Sequence, residues 1–147
     1  MTEIQRRSLI KPKLTSPFKI DFDWWKKNDR DWRVYLRSFL CEEHQKMFEE
    51  LDNDEVIDWV DPKTAEVTQV DGMQHVLISH CAKQEGFLSE RRTLVDSAFR
   101  LLLSRGNRPM SPEEMGEILN RPASTILRTF SGIRVYKGIR PVSEDWK

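Results

Sequence analysis

A chain of 147 residues with zero net charge and 38% hydrophobic residues has the size and composition of one ordinary globular domain, or of two small ones sharing a core. The longest apolar run, Ala98–Leu103, contains Arg100 and is far too short to cross a bilayer. The amino terminus lacks the apolar segment of a signal peptide, so we expect a cytoplasmic protein with no membrane segment.

The zero net charge hides three zones of different sign. Residues 1–20 and 100–142 are net basic, whereas residues 21–99 are net acidic. A basic carboxyl-terminal part suits phosphate binding, because each neutralised phosphate releases counterions. The acidic middle would repel a duplex, so nucleic acid is expected to touch only the two ends. The alternative is that the two signs meet inside the molecule or between subunits.

Residues 1–17 predict a basic flexible arm, because they combine two prolines and scattered cations with few apolar residues. Residues 18–88 follow as an aromatic and acidic region of mixed α and β structure. Its first part alternates apolar and polar residues, which indicates a short strand or an extended lead-in. Helical spacing then predicts helices over Asp31–Leu40 and Glu42–Leu51. The second of these is expected to bury Met47, Phe48 and Leu51.

The strongest β signal lies in residues 56–70, where two runs rich in valine flank Asp61 and Pro62. Asp and Pro are typical of the first positions of a type I turn, so a hairpin is predicted. Met73–Lys83 is then expected to form a helix. Residues 89–147 are predicted as a separate module, beginning with a helix over Leu94–Leu103.

Two further helices are predicted between Ser111 and Phe130. Ser111 is a good N-cap and Pro112 suits a first helical position, while Asn120 tolerates the left-handed conformation that ends a helix. Pro122 can open the second helix. The expected buried faces are formed by Met115, Ile118 and Leu119 in the first helix and by Ala123, Ile126, Leu127 and Phe130 in the second.

This stretch resembles a helix-turn-helix DNA-binding domain. Gly116 matches the small residue that lets the helices approach, Asn120 matches the turn residue, and Ile126 matches the branched apolar residue of the second helix, whereas Arg121 and Pro122 depart from the usual pattern. The resemblance implies that the second helix reads a major groove.

The outward residues of that helix would then contact bases or phosphates, and alternation in residues 132–142 predicts a small wing hairpin beside it. The predicted DNA contacts are Arg121, Ser124, Thr125, Arg128, Arg134 and Lys137.

Both cysteines and all three histidines lie between residues 41 and 81. Cys41, His44, His80 and Cys81 have the ligand types and number of a structural zinc site. Adjacent residues on a helix point about 100° apart, however, which favours a structural role for His80 and Cys81 and a free Cys41 and surface His44. A disulfide between the two cysteines is geometrically conceivable but not expected in a cytoplasmic chain.

No phosphate-binding loop or nucleophile motif is present in the sequence, and no catalytic residue is predicted. We therefore expect a mainly α protein with a small β-hairpin and a carboxyl-terminal helix-turn-helix, acting as a DNA-binding regulator or accessory factor. The alternative is a protein–protein adaptor with the helix-turn-helix as scaffold, with a protein partner or a homodimer. A small metal-dependent enzyme is the third choice, with Asp58, Asp61 and Glu66 as a conceivable cation site.

Overall fold

The computed structural model describes residues 11–50, 56–60, 63–65, 67–88 and 92–142. Within these ranges the chain forms seven α-helices, one 3-10 helix and four short strands, which confirms the predicted class. The elements are β1 Phe18–Ile20, α1 Phe22–Asn28, α2 Trp32–Ser38, α3 Glu42–Glu50, β2 Val56–Val60, β3 Val67–Asp71, α4 Gly72–Ser79, the 3-10 helix Cys81–Lys83, α5 Leu94–Ser104, α6 Pro112–Leu119, α7 Ala123–Phe130 and β4 Ile139–Pro141.

Three predicted features fall wholly or partly outside these ranges. Most of the basic arm and Leu51 lie there, as do the turn residues Asp61 and Pro62 of the hairpin. Among the residues that are described, no helix combines the length and the apolar character that crossing a membrane requires.

Most of the described aromatic side chains of the amino-terminal half are buried in the core, although Tyr35 is exposed. Trp25 is almost fully buried, and its ring packs edge-on against Trp32 and against Phe99 of α5. Its indole N–H donates to the Asp29 carboxylate, so the one polar atom of the ring is satisfied. Helices α1 and α2 are thus anchored to the helix that precedes the helix-turn-helix.

The predicted hairpin is confirmed: β2 and β3 pair antiparallel, from Val56 opposite Asp71 to Val60 opposite Val67. Asp71 ends β3 and caps α4, because its Oδ1 accepts a hydrogen bond from the Gln74 amide. Its other carboxylate oxygen forms an ion pair with Arg33 of α2. One buried carboxylate therefore joins the hairpin, α4 and α2.

Strand β1 lies between two segments from the other end of the chain. On one side it pairs antiparallel with β4, and on the other Phe18 exchanges both backbone hydrogen bonds with Met110, at 2.8 and 2.9 Å. The Asn107 side chain accepts from the Ile20 amide and donates to the Ile20 carbonyl, both at 2.9 Å. The division at residues 88 and 89 stays a prediction, but these contacts cross it.

The wing hairpin expected in residues 132–142 is not formed, since β4 takes β1 as its partner. Lys137 and Gly138 both have positive φ, and they turn the chain directly onto β1. Gly138 approaches α1 so closely that a Cβ there would lie 3.0 Å from the Asp21 carbonyl oxygen and from the Trp25 Cβ. The Asp21 amide donates to the Gly138 carbonyl at 2.7 Å, which holds this turn in place.

Helices α5, α6 and α7 form the helix-turn-helix unit. Ser111 and Glu114 form a capping box at the start of α6, and Asn120 ends it in the left-handed conformation, with φ 56° and ψ 48°. Met115 and Ile126 are fully buried. The turn chemistry predicted from these residues is present.

Three side chains at apolar positions of the predicted helices are instead 45–46% exposed, namely Tyr35, Met47 and Ile118. In α6 the buried positions are Pro112, Met115 and Gly116, with Leu119 partly buried. This is a narrow stripe at i, i+3, i+4 and i+7, because the main contacts of α6 with other elements of the described structure are those to α5 and α7. Ile118 lies beside that stripe, so the broader predicted face was wrong.

Replacing Gly116 by alanine tests the helix contact. The added Cβ would lie 2.6 Å from the Arg121 carbonyl oxygen and 3.3 Å from the Ala123 nitrogen, so the two helices must separate. We expect Gly116→Ala to lower the free energy of unfolding by about 1–3 kcal/mol, outweighing alanine's gain of up to about 1 kcal/mol in helix propensity. Denaturant unfolding measures the change.

Gly132→Ala is the matched control, because the nearest atom to its added Cβ is 3.8 Å away. Its free energy of unfolding should stay within about 0.5 kcal/mol of the parent value. Equal stability of the two variants would contradict the close approach of α6 and α7.

Candidate functional site

Helix α7 presents one polar face outward. Ser124, Thr125 and Arg128 are exposed, while Ile126 and Phe130 on the opposite side are buried. The helix contains no acidic residue. Three of the six predicted DNA contacts thus lie on one face of one helix, which is fixed to the core from behind.

Arg121 lies in the turn before α7 and is also exposed. Its Nη2 donates to the Arg92 carbonyl oxygen at 3.1 Å, so the side chain reaches from the turn toward the start of α5. In helix-turn-helix domains an apolar residue usually packs beneath this turn. Arg121 occupies that position here, and its side chain lies across the turn on the surface. Its role as a DNA contact stays a prediction.

The two predicted contacts that follow α7 have different surroundings. Arg134 is exposed, with its guanidinium 5.0 Å from the centre of the Tyr136 ring, and that ring packs edge-on against Phe130 of α7. Lys137 Nζ lies 4.5 Å from the centre of the Tyr35 ring in α2. Arg134 is therefore tied to α7, whereas Lys137 points toward the amino-terminal half.

Some of the basic carboxyl-terminal zone meets the acidic middle zone inside the molecule. Arg140 Nη1 lies 3.3 Å from Asp21 Oδ2, and its guanidinium lies over the Trp24 ring. The contacts of Arg140 and Lys137 agree with the alternative in which the basic and acidic zones meet inside the molecule. The exposed cations of the helix-turn-helix turn and of α7 are not involved in these contacts.

The four predicted metal ligands converge into one cluster. Cys41 precedes α3 and His44 lies in its first turn, which brings Cys41 Sγ within 3.0 Å of His44 Nδ1. Cys81 Sγ lies 3.5 Å from Cys41 Sγ and 3.6 Å from His44 Nδ1, and His80 Nδ1 lies 3.9 Å from Cys41 Sγ. All four potential ligand atoms lie within 4.8 Å of one another.

The expectation that His80 and Cys81 point too far apart to share a site is wrong. Helix α4 ends at Ser79, and His80 has φ −125° and ψ −64°, which lies outside the helical region. A new 3-10 helix then starts at Cys81. Neighbouring side chains point about 100° apart only within one continuous helix. Here α4 ends before His80 and the 3-10 helix begins at Cys81, so that angle does not apply to this pair.

Burial shapes the chemistry of this cluster. Cys81 is almost fully buried and belongs to the hydrophobic core, and burial raises the pKa of its thiol to about 11. Both cysteines are free thiols rather than a disulfide. The side chains of Asp58, Asp61 and Glu66, the conceivable cation site, lie outside the described part.

Two structural residues were not recognised from the sequence. Asn107 lies just after α5, and its hydrogen-bonding partner Ile20 is 87 residues away. Asp71 ends the hairpin and also caps α4 and pairs with Arg33. A local signal existed for the cap, since Asp precedes Gly72 and a helical run, but none existed for either distant partner.

Comparisons with protein-family models, with curated proteins and with solved structures found no match to this chain. The exposed face of α7 and the Cys/His cluster are therefore the basis on which functions are proposed.

Paired alanine substitutions in α7 test which side of the helix is buried. Ile126→Ala should lower the free energy of unfolding by about 2–5 kcal/mol, as large-to-small changes in a core do. Ser124→Ala, two residues away on the exposed side, should change it by no more than about 0.5 kcal/mol. Thermal or denaturant unfolding gives both values, and an Ile126 variant of full stability would reverse the assignment of the faces.

Proposed function

We propose that this protein binds duplex DNA by placing α7 in the major groove. The observation that carries the proposal is the face of α7 formed by Ser124, Thr125 and Arg128, which is exposed while Ile126 and Phe130 fix the helix from behind. In helix-turn-helix proteins the second helix enters the groove in this way, with its amino-terminal residues nearest the base edges.

The exposed side chains have the chemistry that groove contacts need. The Arg128 guanidinium can donate two parallel hydrogen bonds to guanine O6 and N7, or to a phosphate. The hydroxyls of Ser124 and Thr125 can donate or accept, so they suit either a base edge or a phosphate oxygen. Because both hydroxyls lie in the first turn of α7, they occupy the end of the helix that reaches deepest into a groove.

Charge decides which surface can approach the duplex. Residues 100–142 carry eight basic and three acidic residues, and all three acidic residues, Glu113, Glu114 and Glu117, lie in α6. The duplex should therefore contact α7, Arg121 and the Arg134 segment, and avoid the exposed side of α6. Contacts to phosphates from these arginines would position α7, while the groove contacts would give sequence preference.

The proposed biological role is that of a cytoplasmic DNA-binding regulator or accessory factor. The adaptor role stays the alternative, and the dependence of binding on salt separates the two. DNA binding should weaken steeply as salt is added, since each neutralised phosphate releases counterions, whereas an apolar docking surface should respond little.

Arg128→Ala tests the proposal directly. Affinity for fluorescently labelled duplexes of varied sequence, measured by anisotropy at low salt, should fall by about 5- to 150-fold, which corresponds to about 1–3 kcal/mol. The melting temperature should not change, because the side chain is exposed. The slope of log affinity against log salt should become shallower by about one if Arg128 binds a phosphate.

Arg30→Ala is the matched control, since Arg30 is an exposed arginine in the turn between α1 and α2, outside the helix-turn-helix. It should bind as tightly as the parent protein. Equal losses in both variants would indicate attraction by net charge alone, and absence of binding to any duplex at low salt would leave the adaptor role.

A further inference from the structure

We propose that Cys41, His44, His80 and Cys81 bind one zinc ion in a closed, structural site. The site is independent of the DNA-binding proposal, because its residues lie at the start of α3 and at the break after α4, and none belongs to the helix-turn-helix.

The distances between the ligand atoms fit a tetrahedral ion. With Zn–S bonds of about 2.3 Å and Zn–N bonds of about 2.0–2.1 Å, tetrahedral geometry places neighbouring ligand atoms about 3.3–3.8 Å apart. Cys41 Sγ lies 3.0 Å from His44 Nδ1, 3.5 Å from Cys81 Sγ and 3.9 Å from His80 Nδ1. Because the four ligand atoms all lie within 4.8 Å of one another, shifts of up to about 1–1.5 Å would complete the site.

The donor set selects the metal. Two thiolates and two imidazole nitrogens suit zinc, whereas calcium and magnesium prefer oxygen ligands. Four protein ligands fill a tetrahedron and leave no position for a reacting water. The role inferred here is therefore structural, in contrast to the metal-dependent enzyme considered from the sequence.

The ion would join two parts of the fold that are distant in the chain. Cys41 and His44 precede the β2–β3 hairpin, and His80 and Cys81 follow it, so the ion would close the segment that contains the hairpin. The 3-10 helix that begins at Cys81 packs against α5, the first helix of the helix-turn-helix unit. Zinc would thus link the start of α3 to the 3-10 helix that packs against α5, and it would not contact the exposed face of α7.

Metal content and cobalt spectroscopy on the full chain test the site. Protein purified in the presence of reductant should contain about one zinc per chain by elemental analysis. After removal of zinc by a chelator, Co²⁺ should give the strong visible bands of a tetrahedral site and near-ultraviolet thiolate charge-transfer absorption, and added Zn²⁺ should abolish both. Zinc at about 100 times its Kd should raise the melting temperature of the metal-free protein by about 5–15 °C.

Variants separate the four-ligand site from weaker alternatives. His80→Gln should weaken zinc binding by about 100-fold or more, because even residues that only support a ligand are worth about 10- to 100-fold. His75→Gln, which changes the one histidine outside the cluster, should retain one zinc and the same cobalt spectrum. Cys81→Ser should lose much of the charge-transfer absorption, and if it fails to fold, the cobalt spectrum of the parent protein still decides.

Three results would overturn the proposal. One is a reduced protein with two titratable thiols, no bound metal and a melting temperature that added zinc does not change. Another is a Cys41–Cys81 disulfide in the purified protein with no zinc uptake after reduction. The third is unchanged zinc affinity in His80→Gln, which would show that the site is not closed by four protein ligands.

Discussion

The two-sided pairing of β1 is the constraint on which the rest of the structure depends. Phe18 exchanges backbone hydrogen bonds with Met110 on one edge, while β1 pairs with β4 on the other, so this strand has no free edge along its length. Phe18 and Ile20 are buried, and Asn107 holds the end of the strand. The amino-terminal segment thereby packs against α5 through β1, its partner β4 packs against α7, and residues nearly a hundred positions apart in the chain support the helix-turn-helix.

This arrangement explains how the charge zones of the sequence are used. The β1–β4 pairing brings Arg140 beside Asp21, and the turn before β4 places Lys137 over the Tyr35 ring. Part of the basic surplus of the carboxyl-terminal third therefore faces the acidic half, where such exposed pairs contribute at most about 1 kcal/mol each. Arg121 in the preceding turn and Arg128 in α7 take no part in these contacts and are exposed, so the basic surface that stays exposed is smaller than composition indicates.

Features set by neighbouring residues could be predicted from the sequence, and features set by distant partners could not. The N-cap Ser111, the left-handed Asn120 and the β2–β3 hairpin follow from short-range turn and cap chemistry, and all three are present. The partner of β4 could not be inferred, because alternation in residues 132–142 is equally compatible with a hairpin or with pairing to β1. The sequence shows the four residues of the Cys/His cluster, but not that they converge. Their convergence depends on the helix break at His80, which hydrophobic periodicity does not predict.

The proposed division of roles is that α7 contacts DNA while the Cys/His cluster supports the acidic half. An NMR titration of the full, isotope-labelled protein with a short duplex at low salt tests this most directly, because it locates the contact residue by residue. The largest amide shifts should fall between Arg121 and Thr129 and in the segment around Arg134, and the amides of residues 41–44 and 80–81 should stay in place. Shifts concentrated in the amino-terminal half, with α7 unaffected, would contradict it.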